Sequence, residues 1–173
     1  MEKDVMLTVA DLMALSARTA PKGGGHDYIV QEIISGDTLK TLGEAMIEFA
    51  ETPNGKPFIA RDGHNIMDSD AVLLIGLKDA EPSNLNCGAC GFDQCSDCKI
   101  KNGPEFNGPV CAFRVIDLGI ALGSAARTAM NLNADNRMMY SAGSVAIRIG
   151  LIDADIAVAI PISASGKNIY FDR

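Results

Sequence analysis

ADLMALSARTAPKGGGHDYIVQEIISGDTLKTLGEAM, residues 10–46, sets out a helix, a glycine turn, a strand and a second helix in quick succession. Val5, Met6, Val9, Leu12 and Met13 recur at helical spacing, so the first helix starts ahead of this stretch. It ends at Pro21 and the Gly23-Gly24-Gly25 run. Tyr28 to Ile34 is short and rich in β-formers, and reads as a strand. Asp37 or Thr38 caps the next helix, which places Leu39, Leu42, Met46 and Phe49 on one face and stops at Pro53-Asn54-Gly55.

Further along, Val72-Leu73-Leu74-Ile75 is a continuous apolar run suited to a buried central strand. Residues 80–110 hold Pro82, Pro104, Pro109 and four of the five Cys without any period, and read as a loop-rich insert. Val110 to Asn131 reads as a helix in which Gly119 and Gly123, one turn apart, leave room for another backbone. Met138, Met139, Ala142, Val145, Ala146 and Ile149 form a further helical stripe, stopped at Gly150. Ile156 to Ile162 is a last strand, and Pro161 sends its end to an edge or a bulge. Strands alternating with helices around one long insert predict a layered α+β (αβα) domain over residues 1–173, with a mixed sheet flanked by helices.

At 173 residues the chain is long enough for one self-sufficient core. Aromatic residues make up only 5% and Trp is absent, so that core rests on aliphatic side chains and Met. A net charge of −7 argues against a nucleic-acid face, which needs clustered Lys and Arg. The apolar runs fall well short of a membrane span, and MEKDVML lacks the basic flank of a signal peptide. The expected location is the cytoplasm, with neither nucleic acid nor membrane as partner. His26 and His64 each sit beside Gly and Asp and read as surface-loop residues. No HExxH, Ser/His/Asp or paired-carboxylate pattern supports hydrolase chemistry.

All five Cys lie within residues 87–111, spaced Cys87-x2-Cys90-x4-Cys95-x2-Cys98-x12-Cys111. An odd number in a chain without an export signal points to metal or redox chemistry rather than disulfides. Three bound species compete. Zinc on Cys87, Cys90, Cys95 and Cys98 has a suitable donor set but only four residues between its two pairs. A two-iron cluster on Cys90, Cys95, Cys98 and Cys111 uses the C-x4-C-x2-C spacing of plant-type ferredoxins and leaves Cys87 unused. A four-iron cubane on Cys87, Cys90, Cys95 and Cys111 leaves Cys98.

NCGACGFDQC, followed after fifteen residues by Cys111, resembles the four-iron ferredoxin-type domain with the pattern C-G-x-C-G-x3-C and a distant fourth Cys. That resemblance implies a 4Fe-4S segment over residues 83–112 held by Cys87, Cys90, Cys95 and Cys111, with Cys98 as an alternative ligand. Residues 10–46 in turn resemble the opening of nitroreductase-like flavoproteins, and Asp135 to Arg173 their closing helix, strand and tail. There the turn after the first helix contacts FMN through a Ser and an Asn. Here Lys22 and Gly25 stand in those places, and Asp27 and Tyr28 replace a Gln-Pro-Trp. The residues left for an FMN phosphate are Arg18, Lys22, Lys167 and Arg173.

Together with DLGIALGSA and PISASGKN, these features make the chain similar to a prokaryotic family of uncharacterised ferredoxin-domain proteins. The resemblance implies a nitroreductase-like fold with an iron–sulfur segment, and the function expected of such a segment is electron transfer, in a redox enzyme or accessory subunit with a partner protein. A non-catalytic redox sensor and an FMN-dependent oxidoreductase are the alternatives. It also implies a homodimer formed through the helices Val110 to Asn131 and Asn136 to Ile149.

Overall fold

The computed structural model describes residues 2–171. The chain runs α1 (Glu2–Thr19), β1 (Ile29–Ser35), α2 (Asp37–Ala50), α3 (Pro57–Met67), β2 (Ala71–Leu77), α4 (Ala112–Asn131), β3 (Asp135–Asn136), α5 (Tyr140–Arg148) and β4 (Ile156–Ser163). The strands form one sheet in the order β1-β2-β4-β3.

The sheet lies between two helical layers, and the alternation along β2 decides which side chains meet which layer. Ala71, Leu73, Ile75 and Leu77 pack with Met6, Met13 and Ala17 of α1 and with Leu118, Ala121 and Ala125 of α4. Val72 and Leu74 face Leu42 and Met46 of α2, Ile59 and Ile66 of α3, and Val145 of α5. All seven residues of β2 are buried, as expected of a strand covered on both faces. Burying each such large aliphatic side chain is worth about 1.5–3 kcal/mol.

The layered α+β architecture is as expected, but every strand pair is antiparallel, where a mixed sheet was expected. The cause is α3, a helix the sequence reading did not contain. A single crossover helix would return the chain parallel to β1. The pair α2–α3 reverses direction once more, so β2 enters opposite the end of β1, with Ser35 facing Ala71. The two helices cross closely at Gly43 and Gly63: a Cβ on Gly63 would lie 2.8 Å from the Gly43 carbonyl oxygen. His64 lies within α3, not in a loop.

Pro161 also departs from expectation. β4 runs between β2 and β3, in unbroken register from Ile156↔Leu77 to Ile162↔Ala71, without a bulge. The proline is accommodated because β3 covers only Ile162 and Ser163 on the other side. Among the described residues, nothing beyond the helix's own backbone lies within 4 Å of a Cβ built on Gly119 or Gly123, so no other backbone packs there. Among the described residues, no helix is long and apolar enough to cross a membrane.

One end of the sheet collects the chemistry. Ile29, Leu77 and Ile156 are paired there. The glycine turn Gly23–Gly25 precedes β1, the cysteine segment leaves from the end of β2, and that segment ends at the start of α4.

Candidate metal centre

Residues 78–111 hold little regular structure beyond the single turn Cys95–Asp97. Their path is fixed by anchors. Asp155, buried before β4, accepts a bond from the Asp79 amide at 2.9 Å and from Asn107 Nδ2 at 3.0 Å. Its own carbonyl accepts from the Asn107 amide at 2.9 Å. One aspartate thus ties both feet of the loop. Lys101 and Gly108 exchange backbone bonds and close the distal part.

Positive φ at Asn84, Asn86, Gly88 and Gly91 winds the proximal part tightly. The winding turns amides inward: the Asn86 N–H donates to Cys95 Sγ at 3.3 Å, and the Cys95 N–H donates back to Asn86 Oδ1 at 2.8 Å. N–H donors on sulfur are what an anionic thiolate cluster requires.

Cys95, Cys98 and Cys111 are buried, Cys90 is half-buried and Cys87 is exposed. Cys111 immediately precedes α4, whose N-terminus favours negative charge. Burial pushes its thiol up. The backbone and hydroxyl of Ser83 and the Phe113 and Arg114 amides outweigh burial and hold it below the ordinary thiol value. Ser83 Oγ lies 3.7 Å from Cys111 Sγ.

Burial, a hydrogen bond with Cys90 and the charges of Cys90, Cys111 and Cys95 push the Cys98 thiol up to about 11. Cys98 Sγ also donates to the Pro109 carbonyl at 3.8 Å. Cys98 thus feels the charges of Cys90, Cys95 and Cys111, while Cys87 is exposed. Among the described residues, no three Cys, His, Asp or Glu side chains come close enough together to hold a metal ion. An all-sulfur donor set with inward amides fits an iron–sulfur cluster.

Behind Cys111 sits a buried ion pair. Arg114 Nη1 lies 3.3 Å from Asp117 Oδ2, and both side chains are almost fully buried. Arg114 also donates to the Glu81 carbonyl through Nε and to the Gly23 carbonyl through Nη1, each at 2.9 Å. Its guanidinium stacks over Tyr28, 4.9 Å from the ring centroid. Asp117 accepts from the Gly23 amide at 2.8 Å. The pair thereby joins α4, the glycine turn and the root of the cysteine loop. A cavity of about 330 Å³ opens between them, lined by Gly23, Gly24, His26, Ser83, Phe113 and Arg114 among others.

Of the four residues considered for an FMN phosphate, Arg18 and Lys22 do not come together with Lys167 within one chain. Arg18 donates to Asp27 at 2.6 Å and to the Ile29 carbonyl at 2.8 Å. Burial alone would raise Asp27. The Arg18 and Ile29 donors and the charges of Arg18 and Lys22 overcome it and hold the carboxyl low. Lys22 caps the end of α1, donating to the Arg18 and Ala20 carbonyls at 2.7 and 2.9 Å. Lys167 follows β4 at the other end of the sheet, a strand length of about 20 Å away. Arg173 lies outside the described residues.

Ser83, Asn86, Arg114, Asp117 and Asp155 were not among the residues singled out from the sequence. A partial signal existed for one pair: Arg114 and Asp117, three apart, fall on the same side of α4 as buried Leu118 and Ala121. A charged pair on an apolar face, one turn from a Cys, marks a site.

A family model described as an uncharacterized protein containing a ferredoxin domain (DUF2148) matches residues 107–173, which hold Cys111 and everything from α4 onward. An uncharacterized protein of Archaeoglobus fulgidus is 47% identical over 164 residues, covering 94% of this chain and 88% of that one. Among solved structures, nitroreductase A of Vibrio parahaemolyticus aligns over 93% of this chain with a TM-score of 0.58 and 8% identity. The chain spans only 59% of that enzyme's length. The FMN-dependent nitroreductase NfnB of Mycobacterium smegmatis, in complex with NADPH, gives 0.58 at 10% identity over 92% of this chain and 78% of its own. At such identities the likeness is one of fold. Taken with the archaeal relative, these findings place the chain in the family of ferredoxin-domain-containing proteins, built on a nitroreductase-like fold.

Proposed function

We propose that the chain is an electron-transfer protein carrying one 4Fe-4S cluster on Cys87, Cys90, Cys95 and Cys111. The carrying observation is the burial of Cys95 and Cys111, with the Asn86 amide donating to Cys95 Sγ and Cys111 set at the N-terminus of α4. Bound there, the cluster would take up and release one electron at a time. The chain's residues set how readily it does so: amides and the Ser83 hydroxyl stabilise the charge on sulfur, and burial keeps water from Cys95 and Cys111.

Cys87 is favoured as fourth ligand because it completes the C-G-x-C-G-x3-C pattern, while Cys98 is engaged by the Pro109 carbonyl. The exposed Cys87 and the half-buried Cys90 give a partner protein access to the centre. Iron, sulfide and flavin analysis after anaerobic purification tests this reading. About four irons and four sulfides per chain are expected. One zinc per chain without visible absorbance would refute it.

The cavity beside Ser83 favours a second reading, an oxidoreductase that passes the electrons to FMN or a small substrate bound there. The phosphate ligands would then have to come from two chains, since Arg18 and Lys22 lie far from Lys167. The solvent side of the α1–α4 layer suits a twofold copy: Val5, Leu12, Leu15, Ile116 and Ile120 are exposed on it. A non-catalytic sensor would hold the cluster and leave the cavity empty. Flavin released on denaturing the anaerobically purified protein separates the two.

A further inference from the structure

We propose that Arg114 is a positioning residue for the iron–sulfur centre, fixing the surroundings of Cys111 and supplying the positive charge that favours the reduced cluster. This inference rests on the cluster reading above. Arg114 follows Cys111 by one helical turn, and its side chain is 4% exposed. Its bond to the Glu81 carbonyl holds the loop segment that carries Ser83, two residues on, against Cys111 Sγ. Its own amide belongs to the first turn of α4, which stabilises charge on that sulfur. Its bond to Gly23, reinforced by the Gly23 amide on Asp117, locks the glycine turn to the same helix.

A buried ion pair contributes little net stability compared with a well-packed apolar pair of the same volume. Its placement here has a directional consequence. Arg114 bonds the segment that carries Ser83, whereas Asp117 bonds Arg114 and the Gly23 amide, so the pair turns its positive member toward the cysteine loop. A fixed positive charge in a poorly solvated region stabilises the negative charge gained on reduction. Losing it should lower the reduction potential, and losing the Glu81 bond should free Ser83 and loosen the cluster.

The test uses the full chain, reconstituted anaerobically, as wild type, Arg114→Met, Arg114→Lys, Asp117→Asn and Ser83→Ala. Potential is read by dye-mediated titration, and cluster retention by iron release to a chelator. Arg114→Met should lower the potential and speed iron release by about tenfold, the scale on which residues supporting metal ligands act. Arg114→Lys should restore much of the potential but not retention, because an ammonium keeps the charge and cannot span both carbonyls. Asp117→Asn should raise the potential, and Ser83→Ala should speed release alone.

Unchanged potential and release in Arg114→Met, with a loaded wild type, would overturn the proposal. Should Arg114→Met not fold, wild-type behaviour in both Asp117→Asn and Ser83→Ala would overturn it equally. A wild type that takes up no iron would instead remove the cluster reading, and this inference with it.

Discussion

Cys111 is where sequence spacing and three-dimensional placement coincide. Replacing it by Ser should abolish or convert the cluster, whereas Cys98→Ser should leave iron content nearly intact. The reverse pattern, with Cys98 essential and Cys87 dispensable, would point to the two-iron arrangement. Visible absorbance and iron counts on the three variants decide it. The thiols were legible because their spacing is local. Arg114 was not, because its partners Glu81 and Gly23 lie 33 and 91 positions away. Tyr170 gives a pH prediction of its own kind. Its hydroxyl lies 3.0 Å from Ser69 Oγ, and burial is the main cause that pushes it up to about 12. An unfolded tyrosine ionises near pH 10. Between these values the folded chain binds the extra proton, so stability falls as pH rises from about 10 toward 12, and is unaffected by this group below 10. Denaturant midpoints from pH 9 to 12 should show this fall in wild type and not in Tyr170→Phe.

At the scale of elements, the crossing of α2 and α3 sets the strand directions. A methyl on Gly63 would meet the Gly43 carbonyl and come within 3.1 Å of Met46 Cβ, neither free to move. Gly63→Ala should therefore cost about 1–3 kcal/mol despite the better helix propensity of Ala. A urea midpoint equal to wild type would contradict the packing. Leu42→Ala, in the same layer and fully buried, should cost about 2–5 kcal/mol. The helices α1, α2 and α5 were legible from their apolar stripes, and β2 from its unbroken hydrophobicity. α3 was not. Its buried positions are Ile59, Asp62, Gly63 and Ile66, so half the face it presents to α2 is not apolar. Asp62 is buried because Ser141 donates to it at 2.7 Å and Arg61 pairs with it at 2.8 Å, contacts that no periodicity announces. The mixed sheet expected from the sequence follows from that one omission: without α3, β2 would have entered parallel to β1.

For the whole molecule, the α1–α4 layer leaves Leu15 and Ile116 more than half exposed, with open space beside Gly119 and Gly123. A second copy covering this face should bury well over about 1,000 Å² in total. Light scattering should give the mass of two chains, and Ile120→Asp the mass of one. A single-chain mass for wild type, whether or not iron is bound, would contradict the dimer. The Gly119-Gly123 spacing was visible in the sequence, but not the fact that its open side faces outward, since that depends on which face of α4 meets β2 and α1. The central claim is that one end of this nitroreductase-like domain holds a cubane. Native mass spectrometry of the anaerobically purified chain tests it most directly. A mass increment equal to about four irons and four sulfides per chain is expected, lost in Cys111→Ser. An increment of a single zinc, or of two irons and two sulfides, would contradict it.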